Sequence, residues 1–199
     1  MKINEREKPA FRKRHWKMFH DKDFNWDLAW KIRNLARGGG FCTWDAWHVF
    51  SLARKISDGG VYLEIGSWKG ASLTCAFLGT KAAKKTVNFI AIECAIQQRF
   101  LDNVRSIPNL KIIKAKSDNA QREINPDTID LLFIDGNHSY VQAKRDIENY
   151  WPKIKAGGTL LGHDYFNKGK YFGVKRAADE FFKTRVVSLK PSHCYMVRK

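Results

Sequence analysis

Residues 61–70 read Val-Tyr-Leu-Glu-Ile-Gly-Ser-Trp-Lys-Gly, and the rest of the chain is organised around them. A short apolar run carrying Glu64 breaks at Gly66, and the turn Gly66-Ser67-Trp68-Lys69-Gly70 opens into a helical stretch. Such a strand–turn–helix stops the strand, bends the backbone tightly and aims helix amides at a ligand of nucleotide size. Gly66 lets the chain leave the strand, and Gly70 allows helix and ligand to approach closely. The spacing is G-x-x-x-G rather than G-x-G-x-x-G, which argues against NAD or FAD. A tight turn that binds nothing would have the same local sequence.

Two further acids give the segment its weight. Glu93 ends the next strand-like run and Asp135 follows a later one, so acids recur at the carboxyl ends of strands, where open α/β sheets bind ligands. A carboxylate at Glu93 suits both hydroxyls of a ribose. Ser117 and Asp118, after the third run, stand where an adenine amino group would be met, although Asp118 equally fits a helix cap.

Strand-like runs fall at 61–65, 87–93, 110–115, 129–134, 159–161, 185–189 and 194–197. Helical stretches lie between the first five, around 72–78, 97–104, 119–123 and 141–150, and one more follows at 174–182. This alternation predicts parallel strands joined by right-handed crossovers, closed by a hairpin around 190–193 that makes the last strand antiparallel. Upstream, residues 1–25 form a basic arm carrying Phe11, Trp16, Phe19 and Phe24. A helix over 26–37 with Trp26, Ala29, Trp30 and Leu35 breaks at Gly38, Gly39 and Gly40. Thr43 is the expected N-cap of a second helix bearing Trp44, Trp47, Phe50, Leu52 and Ile56, with Asp45 favourable in its first turn. The division expected is an arm and helix over 1–40 and one α/β domain over 41–199.

The 199 residues suffice for one domain with a sizeable core. A net charge of +16 admits nucleic acid or another anionic partner, and equally a merely solubilising surface. No apolar run reaches the roughly 20 residues of a membrane span. The first residues lack an apolar signal core, so the expectation is a cytoplasmic protein. Cys42, Cys75, Cys94 and Cys194 show no CxxC spacing, which favours free buried thiols over a zinc site.

Four blocks occur in order: E-I-G-S-W-K-G-A-S at 64–72, D-L-L-F-I-D-G-N-H-S-Y at 130–140, K-A-G-G-T-L-L-G-H-D-Y-F at 155–166, and G-V-K-R-A-A-D-E-F at 173–181. Together they resemble the class I S-adenosylmethionine-dependent methyltransferases. The nearest likeness is to the small-molecule and sugar O-methyltransferase-like family, with its macrocin O-methyltransferase and cephalosporin-hydroxylase relatives. The resemblance implies a Rossmann-like seven-stranded sheet in order 3-2-1-4-5-7-6, strand 7 antiparallel, with helices on both faces. It also implies S-adenosylmethionine bound by Glu64, Gly66, Ser67, Trp68, Gly70, Glu93, Ser117, Asp118 and Asp135.

Asp135 and Asp164 end neighbouring strands in that order, close enough to share Mg²⁺ or Mn²⁺. Metal-dependent relatives carry an amide ligand where Tyr165 stands here; His163 or His138 could fill in. His138 is the candidate general base, a neutral imidazole near pH 7, with Asp135 beside it. His163 is expected to prop the loop after strand five, and Tyr140 and Tyr165 either line the acceptor pocket or pack at its rim. The expected acceptor is a small molecule or glycan. RNA methylation is disfavoured: no Asn-Pro-Pro-Tyr motif, no Pro-Cys nucleophile and no counterpart of the ribose methylases' Lys-Asp-Lys-Glu set is present. A non-catalytic nucleotide-binding protein of the same fold, an iron-bearing hydroxylase and a homo-oligomer remain open alternatives.

Overall fold

In chain order, helices α1 (Trp26–Leu35) and α2 (Thr43–Ala53) precede β1 (Val61–Ile65), α3 (Ala71–Ala82), β2 (Asn88–Ile92), α4 (Gln98–Val104) and β3 (Leu110–Ile113). They are followed by α5 (Ser117–Ala120), β4 (Ile129–Ile134), α6 (Tyr140–Tyr150), β5 (Ile154–Gly162), α7 (Phe172–Phe182), β6 (Val187–Ser188) and β7 (Tyr195–Arg198). This computed structural model describes residues 22–36, 40–166, 169 and 172–199, apart from the side chains of residues 26, 30, 33 and 172. Most of the aromatic arm, with Phe11, Trp16 and Phe19, and the breakers Gly38 and Gly39 therefore lie outside the described residues.

The strands form one sheet in the order β3-β2-β1-β4-β5-β7-β6. β1 pairs in parallel with β2 and β4, β2 with β3, and β4 with β5; β7 runs antiparallel to both β5 and β6. That is the sheet expected from the alternation and from the resemblance. Alternating side chains send each strand's apolar residues to two cores. One, holding Tyr62, Phe89 and Phe133, packs under α1, α2, α3 and α4 through Ile32, Phe50, Leu73 and Phe100. The other, holding Leu63, Leu132 and Leu160, packs under α6 and α7 through Ile147, Ala177 and Phe182. Phe24 is 1% exposed and meets Phe50 edge-on at 5.1 Å, so the last aromatic of the arm belongs to the first core. Among the described residues no helix is long and apolar enough to cross a membrane.

Several local expectations shift. Cys42, not Thr43, is the N-cap of α2, and Asp45 at the third helical position accepts from the Cys42 N–H at 2.6 Å. Lys116 caps α5 and leaves Asp118 in its first turn. β5 begins five residues earlier than expected, because Ile154 pairs with Ile129 across a register shift. The thiols are free, but only Cys75 and Cys194 are buried; Cys42 is half-buried and Cys94 exposed.

Candidate active site

Ladder hydrogen bonds continue one residue past the strands. Gly66 N–H donates to the Ile92 carbonyl at 2.9 Å, Asp135 N–H to Ile65 at 2.9 Å, Glu93 N–H to Ile113 at 3.1 Å and His163 N–H to Ile134 at 3.0 Å. These bonds align Gly66, Glu93, Asp135 and His163 along the carboxyl edge of the sheet. A cavity of about 660 Å³ opens above that edge.

At the β1–β2 end, Gly66 is obligatory. Its φ is +84°, and a Cβ there would lie 2.3 Å from the Asp135 carbonyl oxygen. Gly70, at φ +75°, caps α3, where a Cβ would meet Val104 at 2.6 Å. Between them Trp68 N–H donates to Glu93 Oε2 at 2.9 Å, while Ala95 N–H donates to Oε1 at 2.9 Å. Glu93 is thus half-buried in the cavity wall and tied to the glycine turn. Trp68 is 39% exposed at the cavity mouth with the Lys69 ammonium 3.8 Å from its ring centroid. Ser67 Oγ is buried in the wall with no well-aligned hydrogen-bond partner among the described residues.

Glu64 sits elsewhere. It lies within β1 rather than at its end, so strand alternation turns it under α3, where it is fully buried. Tyr62 Oη donates to Glu64 Oε2 at 2.6 Å and Ser72 Oγ to Oε1 at 2.8 Å. Burial pushes its carboxyl up to about 7 against hydrogen bonding from Tyr62, Ser72 and Ser67. Glu64 is a support behind the wall, not a rim group.

Asp118 is also outside the wall. Its carboxylate accepts from Gln142 Nε2 at 3.2 Å and lies 3.7 Å from Arg145 Nη1. Ser117 does line the cavity, but its hydroxyl donates to Asp146 Oδ1 at 2.6 Å. Asp146 on α6 is a cavity-lining acid that its sequence context, in the middle of an amphipathic helix, gave no reason to single out.

At the β4–β5 end, Asp135, His138 and Asp164 come together, with ligand atoms all within 4.8 Å of one another. His138 Nε2 is 2.8 Å from Asp164 Oδ2 and 3.8 Å from Asp135 Oδ1. Asp164 takes a left-handed φ of 57°, a conformation that Asp tolerates better than most residues. Hydrogen bonding to Asp135 and to Asp164 raises His138 to about 9, so these partners work against the neutral imidazole expected near pH 7. Burial alone would raise Asp164, but His138 and His163 outweigh it and hold its carboxyl well below the usual range.

Behind this trio lies a charge cluster. His163, 3% exposed, has Nδ1 3.3 Å from Asp135 Oδ1 and 3.2 Å from Asp164 Oδ2, while Nε2 is 3.1 Å from Asp45 Oδ2. These are close ion pairs lacking ideal hydrogen-bond alignment. Burial disfavours the imidazolium, yet the surrounding carboxylates outweigh it and push His163 well above its ordinary value. Asp45, fully buried, also accepts from the His193 N–H at 2.8 Å. Burial would raise it, but His163 and His193 hold it far below the carboxylate range. Asp45 therefore does more than favour its helix's first turn. Tyr165 does not complete the ligand set: its hydroxyl turns to Asp179 at 2.5 Å. Tyr140 likewise bonds Glu180, and neither tyrosine lines the cavity.

The lining fits two groups. The Ser67 hydroxyl and the Glu93 carboxylate suit a polar nucleoside, and two carboxylates with one imidazole suit a divalent cation with a preference for oxygen. Against Lys69, Lys116 and the two histidines the wall sets Glu93, Asp135, Asp146 and Asp164, so the chain's positive excess is not concentrated in it.

Residues 63–165 match the family described as a methyltransferase domain, just over half of the chain, and the chain belongs to that family. An uncharacterized protein, R132, of Acanthamoeba polyphaga mimivirus is 32% identical over 122 residues, 54% of this chain and 52% of that protein. The chain thus spans about half of this curated relative, and 7% of a second, uncharacterized one from Sinorhizobium fredii. Among solved structures, the Podospora anserina methyltransferase PaMTH1, bound to S-adenosylhomocysteine, superposes with a TM-score of 0.70 at 15% identity, covering 100% of this chain and 98% of that one. CalS11, a TDP-rhamnose 3'-O-methyltransferase, gives 0.64 at 15% identity over 99% and 96%. The fold is that of S-adenosylmethionine-dependent methyltransferases.

Proposed function

We propose that the protein is an S-adenosylmethionine-dependent O-methyltransferase acting on a hydroxyl of a small molecule or sugar, assisted by Mg²⁺ or Mn²⁺. One observation carries the reading: a single cavity has the Gly66–Gly70 turn and Glu93 at one end and the Asp135–His138–Asp164 trio at the other. That is a nucleoside subsite facing an acid–base and cation subsite. The likeness to CalS11 supports a sugar hydroxyl as acceptor. RNA methylation is the weaker alternative, because the cavity wall matches Lys69, Lys116, His138 and His163 with four acids and so has no cationic excess to draw phosphates.

Bound S-adenosylmethionine would supply a methyl group made electrophilic by its sulfonium sulfur. Glu93 would accept from the ribose hydroxyls, and Ser67 and the turn amides would hold the amino-acid end. Asp135 and Asp164 would hold the cation, whose role is to acidify the acceptor hydroxyl. With Asp135 and Asp164 committed to the cation, His138 would be freed of the contacts that favour its protonated form, and its Nε2 would then take the hydroxyl proton. The remaining contribution is proximity, since methyl transfer needs acceptor oxygen, carbon and sulfur in line.

Calorimetry of the full chain with S-adenosylhomocysteine, in chelator and then with Mn²⁺, tests this. The reading expects thioether binding in both conditions and a separate Mn²⁺ isotherm abolished by Asp164→Asn. No thioether binding in either condition would overturn it.

A further inference from the structure

We propose that Cys42, Asp45 and His193 form a second metal site, separate from the Asp135–His138–Asp164 trio, and that it takes Zn²⁺. One ligand atom from each of the three residues comes within 4.8 Å of the other two. Cys42 is the N-cap of α2, Asp45 stands in that helix's first turn, and His193 lies in the turn between β6 and β7. Main-chain bonds between its own members build the site. Asp45 Oδ2 accepts from the Cys42 N–H at 2.6 Å, and Oδ1 accepts from the His193 N–H at 2.8 Å. Each of the other two ligands is therefore tied to the central carboxylate through its own backbone. From behind, His163, 3% exposed, brings Nε2 to 3.1 Å from Asp45 Oδ2 with no aligned hydrogen bond. Outer groups that fix a ligating carboxylate in this way are a regular part of metal centres.

The spacing and the donor set both point to zinc. His193 Nδ1 lies 3.6 Å from Asp45 Oδ2, too far for a hydrogen bond. That is about the separation of two nitrogen or oxygen ligands at the corners of a tetrahedron with bonds of roughly 2.0–2.2 Å. A thiolate with an imidazole and one carboxylate favours Zn²⁺ over Mg²⁺ or Mn²⁺, which prefer oxygen. Three protein ligands leave the fourth corner to water. Asp45 is fully buried, whereas Cys42 and His193 are half-buried, so the ion enters from their side. The Cys42 S–H bond breaks as the Zn–S bond forms, and the proton goes to solvent. The bound ion staples the start of α2 to the β6–β7 turn, next to Gly40 and Phe41 of the cavity wall. This staple stands whether or not the cavity takes S-adenosylmethionine.

The test titrates Co²⁺, a spectroscopic stand-in for Zn²⁺, into the full chain. Wild type is expected to gain the near-ultraviolet thiolate-to-cobalt band and the intense visible bands of four-coordinate cobalt, and Zn²⁺ to displace both. Cys42→Ser should lose the thiolate band and weaken Zn²⁺ by more than the roughly 100-fold that outer-shell changes reach, while Asp164→Asn keeps the band. A wild type without the thiolate band, a band that survives Cys42→Ser, or one lost in Asp164→Asn would overturn the proposal. Should Cys42→Ser not fold, iodoacetamide labelling of wild type decides. Bound Zn²⁺ should protect Cys42 and leave the exposed Cys94 reactive; Cys42 labelling unchanged by Zn²⁺ would remove the site.

Discussion

The two ends of the cavity are built by different means. The β1–β2 end is made from backbone: a glycine hinge with no room for a Cβ, main-chain amides, and one acid that two of those amides hold. The β4–β5 end is made from side-chain charge: Asp45, Asp135 and Asp164 around His163 and His138. Backbone sites fail by losing the fold, and charge sites fail by losing chemistry. The two should therefore respond separately to substitution.

The hardest break is Gly66→Ala. Left-handed backbone and a clash with the Asp135 carbonyl together should cost about 3 kcal/mol or more. Thermal unfolding followed by circular dichroism should show the midpoint fall by roughly 6–12 °C. An unchanged midpoint would mean the hinge is not built as described.

Next, His138→Gln should lower kcat for methyl transfer by roughly 10²–10⁴-fold in protein that still unfolds cooperatively, as expected for loss of a general base. A loss of less than about threefold would move the proton-accepting role to another group.

A crossed pair sharpens the comparison. Asp45→Asn, two layers from the cavity, should weaken Mn²⁺ binding roughly 10–100-fold, as outer-shell changes do, and leave thioether affinity alone. Glu93→Gln should do the reverse, weakening S-adenosylhomocysteine by roughly tenfold through loss of a charge-assisted hydrogen bond. Calorimetry with each ligand reads both, and a variant that weakens both ligands equally would merge the two ends into one unit.

The smallest effect concerns Glu64. Burial raises its carboxyl to about 7, above the ordinary value, so its contribution to stability is present at low pH and fades as pH rises toward neutrality. Between about pH 5 and pH 8 the wild-type unfolding midpoint should fall relative to that of Glu64→Gln. Parallel midpoints across that range would show that Glu64 keeps an ordinary carboxylate.

Particular residues mark how far the sequence reached. Gly66, Glu93 and Asp135 were readable because each ends a strand, and an apolar run broken by glycine or acid is a local signal. The acid-after-apolar signal at Glu64 does not say whether the strand has ended, and the structure places Glu64 inside β1, bonded to Tyr62 and Ser72. Asp118 follows a strand end but is held by Gln142 and Arg145 outside the cavity wall, while helix α6 carries Asp146 into that wall.

What the chain's order of residues determined by itself is the seven-stranded sheet, its closing hairpin and the row of groups along its carboxyl edge. These follow from period-two and helical spacing, which short-range sterics enforce. Only the tertiary structure decided the Asp45–His163 cluster, the placing of His138 between Asp135 and Asp164, and the place of Asp146 in the cavity wall. Asp45 meets His193 across 148 positions and Ser117 meets Asp146 across 29. Charge stabilisation and hydrogen bonding act over a few ångströms through space, and no periodicity along the chain encodes which distant side chains come that near.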